Sequence, residues 1–278
     1  IGTWSARFAE GARVTIFSDD GVQHRGTLLP CKASGHTFNR EVDSQPSDWT
    51  NLEIRIDARC HSRADIAALG IRIGDTCAVD SQPEFLANGF VNARHLDDKA
   101  GVATLLAVAK AVRDQEVRLP VDCHLLFTIS EEVGVGASHI LHGDVAELIS
   151  VDNGTIAPGQ ATSEYGVTVS MQDSAGPFDW HLTRHLLGLC KEYEIEHSRD
   201  VFRYYRSDAA AALEAGNDIR TALLCFALDA SHGWERSHLD SLVALGELLF
   251  RYVTSKPLFQ RDVAPLGPLG DFPSGTQQ

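Results

Sequence analysis

Short apolar segments separated by turn residues fill the first ninety positions of the chain. The segments read "RVTIFS", "GTLLP", "LEIRID" and "GIRIGDTCAVD", and the glycines and aspartates between them suit tight turns. The polar stretch "SGHTFNREVDSQPSDWTN" predicts an exposed loop. The pattern therefore predicts a small all-β domain, barrel-like or sandwich-like, over residues 1–90.

From about residue 90 the pattern changes to helical periodicity alternating with apolar strands. Helices are predicted at "KAGVATLLAVAKAVRDQ", "PFDWHLTRHLLGLCKEYE", "SDAAAALEAG" and "SHLDSLVALGELLFRYV", the last with Ser237 as N-cap. Strands are predicted at "DCHLLFTIS", "ELISVD" and "RTALLCFAL". This alternation predicts an α/β domain over residues 91–255, with a mostly parallel sheet flanked by helices. Residues 256–278 carry proline and glycine without period, which predicts a loosely ordered tail.

Composition narrows the classes of partner. The chain has 278 residues, 44% of them hydrophobic, and its 24 basic and 38 acidic residues leave a formal net charge of −14. That charge repels nucleic acid and anionic membranes, so we expect neither as a partner. No apolar run reaches about 18 residues, so no membrane span is predicted and we expect a cytoplasmic protein. The six cysteines are scattered without a C-x-x-C pair, which favours free thiols over disulfides.

Acidic and imidazole side chains recur where the predicted α/β strands end, or just before the first long helix. They are Asp97, Asp98, Glu131, Glu132, Asp152 and His232. Each has a simpler interpretation alone: a helix cap, a solvated loop acid, an Asx turn or a hydrogen-bonded loop histidine. Because ligands gather at the carboxyl ends of strands in open α/β sheets, we expect these groups to converge on one rim.

Converging carboxylates repel one another, and a divalent cation relieves that repulsion. A mixture of carboxylate and imidazole ligands suits zinc, cobalt or manganese better than calcium. Two such ions sharing one aspartate would activate a water and polarise a carbonyl. Neighbouring residues of an extended chain point opposite ways, so one of Glu131 and Glu132 could bind metal while the other takes the proton of the water.

Several motifs together resemble metallopeptidase family forty-two, the TET-type dinuclear-metal aminopeptidases. They are "LDDKAG", "TISEEVGVGAS", "SVDNG", "RSDAAAALEAGNDIRTALL" and "SHGWERSH", which follow the order and approximate spacing of the family over roughly residues 50–255. The resemblance implies a zinc-peptidase-like catalytic domain interrupted by a small β domain that serves in oligomerisation. It also implies removal of N-terminal residues from short peptides, and a homo-oligomer that is commonly a tetrahedral dodecamer.

The resemblance also assigns roles by position. It implies two divalent metal ions, zinc first and cobalt or manganese as alternatives, with Asp97 as the bridging ligand. Glu131 would be the general base, while Glu132, Asp152 and His232 would complete the ligands present in this sequence. Ser207 and Asp208 match an element near the substrate.

The family takes one further histidine from an H-x-D motif, and we expect that motif upstream of residue 1. The H-x-D strings that begin at His95, His142 and His238 stand elsewhere, so we interpret them as bystanders, with His238 a weaker rival to His232. Two alternatives stay open. One is a dinuclear-metal deacylase of a small N-capped amino acid or dipeptide, from a branch associated with osmoprotectant operons. The other is an inactive scaffold.

Overall fold

The computed structural model describes residues 2–141 and 143–259, so the predicted tail lies outside the described residues beyond residue 259. The first ninety positions form a four-stranded antiparallel sheet in the order β3-β2-β1-β4. Its strands are β1 (Arg13–Phe17), β2 (Gln23–Pro30), β3 (Leu52–Ile56) and β4 (Thr76–Val79). Val14 and Leu28 pack with Ala9 and Ala12 beneath this sheet. The predicted β segments are therefore present, arranged as one open sheet.

Four short helices precede or connect the strands of this sheet. They are α1 (Ala6–Ala9), α2 (Gly35–Phe38), α3 (Glu41–Ser44) and α4 (Arg63–Ala68). The stretch predicted as a loop contains α2, α3 and a 3-10 turn at Trp49–Asn51, but it is largely exposed as expected.

The main sheet belongs to the α/β region and has the order β10-β8-β11-β7, with β9 paired to β8. Its strands are β7 (Glu147–Thr155), β8 (Val167–Asp173), β9 (Gly176–Pro177), β10 (His197–Val201) and β11 (Arg220–Leu228). The β7–β11 and β8–β10 pairs are parallel, whereas β8 and β11 are antiparallel. The predicted α/β class is therefore confirmed, and the sheet contains two strands that the pattern did not predict, β8 and β10.

Helices cover both faces of this sheet. They are α5 (Leu96–Asp114), α6 (Trp180–Glu192), α7 (Asp208–Glu214) and α8 (Leu239–Thr254). Leu224 and Phe226 of β11 pack into the core formed with α5, α6 and α8. Leu223 and Cys225, which alternate with them, face a smaller core that includes Ala209 of α7. Alternation along one strand thus produces the two-sided burial that made "RTALLCFAL" read as continuously apolar.

A third, small sheet fixes the relation between two distant parts of the chain. Its order is β12-β6-β5, with β5 (Glu84–Phe85), β6 (Phe90–Ala93) and β12 (Glu235–His238). The antiparallel register sets Glu235 opposite Ala93. The start of α5 and the loop before β12 are consequently neighbours, which matters for the site below.

Two local predictions are wrong. The segment "DCHLLFTIS" forms no strand, and among the described residues it has no sheet partner; Leu125, Phe127 and Ile129 are exposed. Apolar content alone cannot supply the backbone hydrogen bonds that define a strand. The N-cap of α8 is His238, not Ser237: His238 Nδ1 accepts from the Asp240 N–H, while the Ser237 hydroxyl donates to the Ala227 carbonyl.

Within the described residues, no helix combines the length and apolarity needed to cross a membrane.

Candidate metal centre

His232 meets two carboxylates from separate parts of the chain. Its Nε2 atom lies 3.2 Å from Asp97 Oδ2 and 3.7 Å from Glu132 Oε2. One ligand atom from each of the three residues lies within 4.8 Å of the others. The structure therefore brings together three of the four predicted metal ligands at one point.

The orientation of the His232 ring is set by its other nitrogen. Nδ1 forms a short hydrogen bond with the Thr3 carbonyl and lies 3.2 Å from the Thr3 hydroxyl. When Nδ1–H donates to a carbonyl, the neutral ring keeps the lone pair of Nε2 free, and this is a common arrangement around metal-binding histidines. With a cation bound, that lone pair would point to the ion between Asp97 and Glu132; without one, Nε2 carries a proton and donates to Asp97.

A second cluster shares Asp97. One ligand atom from each of Asp97, Asp98 and Asp152 lies within 4.8 Å of the others. The Asn153 amide nitrogen connects two of these acids, donating to Asp97 Oδ2 at 2.8 Å and to Asp152 Oδ1 at 3.1 Å. The peptide bond between Asp97 and Asp98 is cis, and neither residue has helical backbone angles, although α5 formally includes both.

The location of Asp152 corrects the strand-end argument. Asp152 and Asn153 lie inside β7, which continues to Thr155, so Asp152 neither ends a strand nor begins an Asx turn. Asp152 is only 6% exposed. It still reaches the cluster, because one of its carboxylate oxygens lies within 4.8 Å of ligand atoms of Asp97 and Asp98.

Glu131 and Glu132 occupy a 3-10 turn, Glu131–Val133, and not the extended chain assumed from the sequence. Burial, together with the charges of Asp208, Glu132 and Asp97, raises the pKa of Glu131 to about 7. Asp208 also secures the segment on both sides of this turn, because it accepts from the Thr128 hydroxyl at 2.8 Å and from the Ala137 N–H at 3.0 Å.

The other site groups are perturbed in the same direction. Burial and the neighbouring charges of Asp152 and Asp97 raise the pKa of Asp98 to about 10. Burial and the charges of Asp97 and Glu131 raise the pKa of Asp152 well above its usual range. The hydrogen bond from His232 to Asp97 raises the pKa of the imidazole to about 9. The protein alone thus holds extra protons here, as expected where carboxylates crowd without a compensating cation.

The residues present fit a divalent cation. The Asp98 Oδ1 atom is buried and, among the described residues, has no hydrogen-bond partner. A side chain at Gly101 would collide with the Asp98 carboxylate, so this glycine leaves room for the acid. The two-carboxylate, one-imidazole set suits zinc, cobalt or manganese, and the all-carboxylate set suits harder ions such as manganese or magnesium.

The other histidines singled out by H-x-D strings take no part in this cluster. His95 turns toward β4, with Nε2 3.4 Å from the Val79 carbonyl, and burial lowers its pKa. His238 caps α8 and lies 2.9 Å from the Asn88 carbonyl. His142 lies outside the described residues.

Two contributors were not foreseen. Asn153 and Glu235 are not among the site residues that the sequence predicts. Glu235 is 1% exposed and lies behind the cluster, where burial raises the pKa of its carboxyl to about 7. Its signal in the sequence is weak: a single acid three residues after His232.

Comparisons with known proteins agree with this fold. The model of the M42 glutamyl aminopeptidase family matches residues 1–248. YhfE of Bacillus subtilis (strain 168), whose name describes an aminopeptidase, is 36% identical over 255 residues, covering 92% of this chain and 73% of its own length. The solved aminopeptidase APDkam598 of the archaeon Desulfurococcus kamchatkensis has a TM-score of 0.79 at 22% identity, with 93% of this chain and 72% of that chain covered. The TET1 peptidase of Pyrococcus horikoshii has a TM-score of 0.75 at 21% identity, with 92% and 76% covered. These matches show that the chain belongs to the M42 glutamyl aminopeptidase family, and hence that it is a peptidase, as its motifs predict.

Proposed function

We propose that the protein is a metal-dependent aminopeptidase that removes N-terminal residues from short peptides, using Glu131 as general base. Asp97, Glu132 and His232 would hold one divalent cation, and Asp97 and Asp152, with Asp98 beside them, would hold a second. Zinc is the first choice for the ions, with cobalt or manganese as alternatives. When bound, such ions polarise the scissile carbonyl and make a water more acidic.

Glu131 suits the proton transfer that peptide hydrolysis requires. Without metal, burial and acidic neighbours raise its pKa to about 7, and bound cations would lower that value. The carboxylate would take a proton from the attacking water, and the resulting acid would give that proton to the leaving amine. The partial burial that raises this pKa also keeps the carboxyl out of bulk solvent. Asp208 holds the residues flanking the turn, so it would keep Glu131 in position.

The observation that carries the proposal is the sharing of Asp97 by two clusters. The aspartate lies 3.2 Å from His232 and is grouped at the same time with Asp98 and Asp152, while its side chain is only 7% exposed. A carboxylate in contact with ligand sets on both sides is what a bridging ligand requires.

The test is hydrolysis of an aminoacyl p-nitroanilide by the full-length protein before and after chelation, followed by return of zinc, cobalt or manganese. Activity should vanish with the chelator and return with at least one metal. The matched substrate is the same amide with an acetylated α-amine. Hydrolysis of the acetylated compound in preference to the free amine would replace the aminopeptidase by a deacylase of N-capped substrates. Activity that resists chelation would remove the metal-dependent mechanism.

We also propose that the first ninety residues form an oligomerisation domain of a cytoplasmic homo-oligomer. The name of the TET1 peptidase of P. horikoshii describes a tetrahedron or a large octahedral shell. Light scattering of the full-length protein would give the number of subunits, and a monomer would contradict the proposal.

A further inference from the structure

Glu235 is a buried acid that belongs to neither of the two candidate cation clusters, yet its carboxylate binds the backbone of both chain segments that supply Asp97 and His232 to the first. Its Oε2 atom accepts from the Leu96 N–H at 2.6 Å and from the Asp97 N–H at 3.2 Å. Its Oε1 atom accepts from the His232 N–H at 2.9 Å. One carboxylate therefore receives three backbone donors from two chain segments.

These two segments have no continuous element between them. Leu96 and Glu235 are 139 positions apart, and Asp97 and His232 each lie in irregular backbone just outside a strand of the small β12-β6-β5 sheet. The sheet brings the segments together, but its ladder ends at Ala93 and Glu235. Beyond the ladder, the carboxylate of Glu235 accepts hydrogen bonds from backbone N–H groups of both segments.

The His232 backbone also needs such a partner. Its φ is +62°, in the left-handed region that residues with a side chain seldom adopt. The hydrogen bond from its N–H to Glu235 Oε1 favours this conformation, in which the imidazole faces Asp97. At the other end of the same carboxylate, the donors come from the residues that enter the irregular start of α5.

We propose that Glu235 is a positioning residue whose carboxylate joins the Asp97 and His232 backbones, so that their side chains converge on one divalent cation. The bound cation in this inference rests on the proposed function, whereas the hydrogen bonds of Glu235 do not depend on it. A carboxylate is required because each of its two oxygens serves one segment; a glutamine offers a single acceptor oxygen and turns an N–H₂ group toward the other segment.

The first experiment uses the wild-type protein without metal. In amide hydrogen exchange measured by NMR, the Leu96 and His232 N–H groups should exchange far more slowly than in the unfolded chain. Neither group donates a hydrogen bond within a helix or a sheet ladder, so the slow exchange would come from Glu235. Exchange of both at unfolded rates would overturn the proposal without any variant having to fold.

The second experiment compares Glu235→Gln and Glu235→Ala with wild type, using Co²⁺ as the probe. We expect Co²⁺ affinity to fall about 10- to 100-fold, as for other groups that support metal ligands, with Gln affected less than Ala. The visible absorption bands of bound Co²⁺ should change shape, which a general loss of stability would not cause. If Glu235→Ala does not fold, the Gln variant and the wild-type exchange rates decide.

The matched control is Glu147→Gln. Glu147 is also a sheltered acid, 14% exposed at its side chain, and it accepts from Arg220 and Tyr252 at the far end of β7. We expect it to lower stability while leaving Co²⁺ affinity and spectrum at wild-type values. Folded Glu235 variants with wild-type affinity and spectrum would overturn the positioning role. Failure of wild type to bind Co²⁺ would overturn the proposed function instead, and loss of Leu96 and His232 protection in Glu235→Gln would still support the positioning role.

Discussion

The first sheet and the candidate metal centre use aspartates in opposite ways. In the sheet, Arg25 Nη1 donates to Asp80 Oδ1 at 2.8 Å, and this hydrogen bonding lowers the pKa of the Asp80 carboxyl. Arg13 binds Asp57 in the same manner. In the centre, burial and mutual repulsion raise the pKa of Asp98 and Asp152.

The difference lies in the source of positive charge. Over residues 2–141 and 143–259, Asp97 and Glu132 form ion pairs with His232, and no arginine or lysine pairs with the site carboxylates. A carboxylate that the chain itself neutralises stabilises the fold, whereas one left without a cation is prepared for a ligand. The M42 family, to which this chain belongs, is metal-dependent, and a metal ion would supply the positive charge that the side chains around these carboxylates lack.

The largest expected effect comes from the one acid assigned to proton transfer. Glu131→Gln keeps the shape of the side chain but removes the basic oxygen, so kcat should fall about 10²- to 10⁴-fold. Metal content should stay at the wild-type value, because Glu131 is not a proposed ligand. Steady-state hydrolysis and metal analysis give the two numbers. Glu41→Gln, which disturbs an exposed pair with Lys32, is the control, and equal losses in both variants would remove Glu131 from the mechanism.

Metal binding should stabilise the centre but not the sheet. Addition of zinc to the chelated protein at about 100 times its Kd should raise Tm by about 5–10 °C, since only the folded state presents the assembled ligands. Scanning calorimetry measures this shift. It should persist in Asp80→Asn and shrink in Asp97→Asn. An unchanged shift in Asp97→Asn would mean that the stabilising ion binds elsewhere.

The metal-free protein should lose stability as pH rises from 7 to 9. His232, with a pKa of about 9, contributes stability that is complete below its ordinary value of 6.5 and is lost as pH approaches 9. Asp98, with a pKa of about 10, keeps its proton in the fold but releases it when unfolded, so unfolding is favoured increasingly over the same range.

A drop in Tm of about 5 °C is expected over this range for the metal-free protein. Asp57 and Asp80 have lowered pKa values, so their contribution is already complete well below pH 7 and stays constant. Saturating metal should flatten the slope. A rise in Tm of the metal-free protein between pH 7 and 9 would contradict the assignment of extra protons to the centre.

The smallest effect is expected in the sheet. Arg25→Gln removes the partner of Asp80, but the pair is solvent-exposed, and exposed ion pairs contribute little. Tm should change by less than about 2 °C, with hydrolysis and metal affinity unaffected. A larger loss would show that the first sheet depends on its charges more than their exposure indicates.

The periodic patterns correctly predicted those helices and strands whose formation depends mainly on their own residues. The helical pattern after Asp98 forms α5, and the continuous apolar run at 220–228 forms β11. A strand that is buried on both faces is stabilised by apolar side chains at every position, so β11 can be recognised from its composition. Motif spacing predicted the family, which is confirmed, and it predicted Asp97, Glu132 and His232 as metal ligands, which the structure brings together.

Only the tertiary structure decided which residues share a point in space. The sequence could not show that Asp152 lies within β7, that the glutamate pair lies on a 3-10 turn, or that "DCHLLFTIS" has no strand partner among the described residues. Nor could it show that Glu235 accepts from the backbone of both Asp97 and His232. Local patterns report the burial and backbone preference of single segments. The convergence of the site side chains depends instead on the pairing of β6 with β12, two strands that are far apart along the chain.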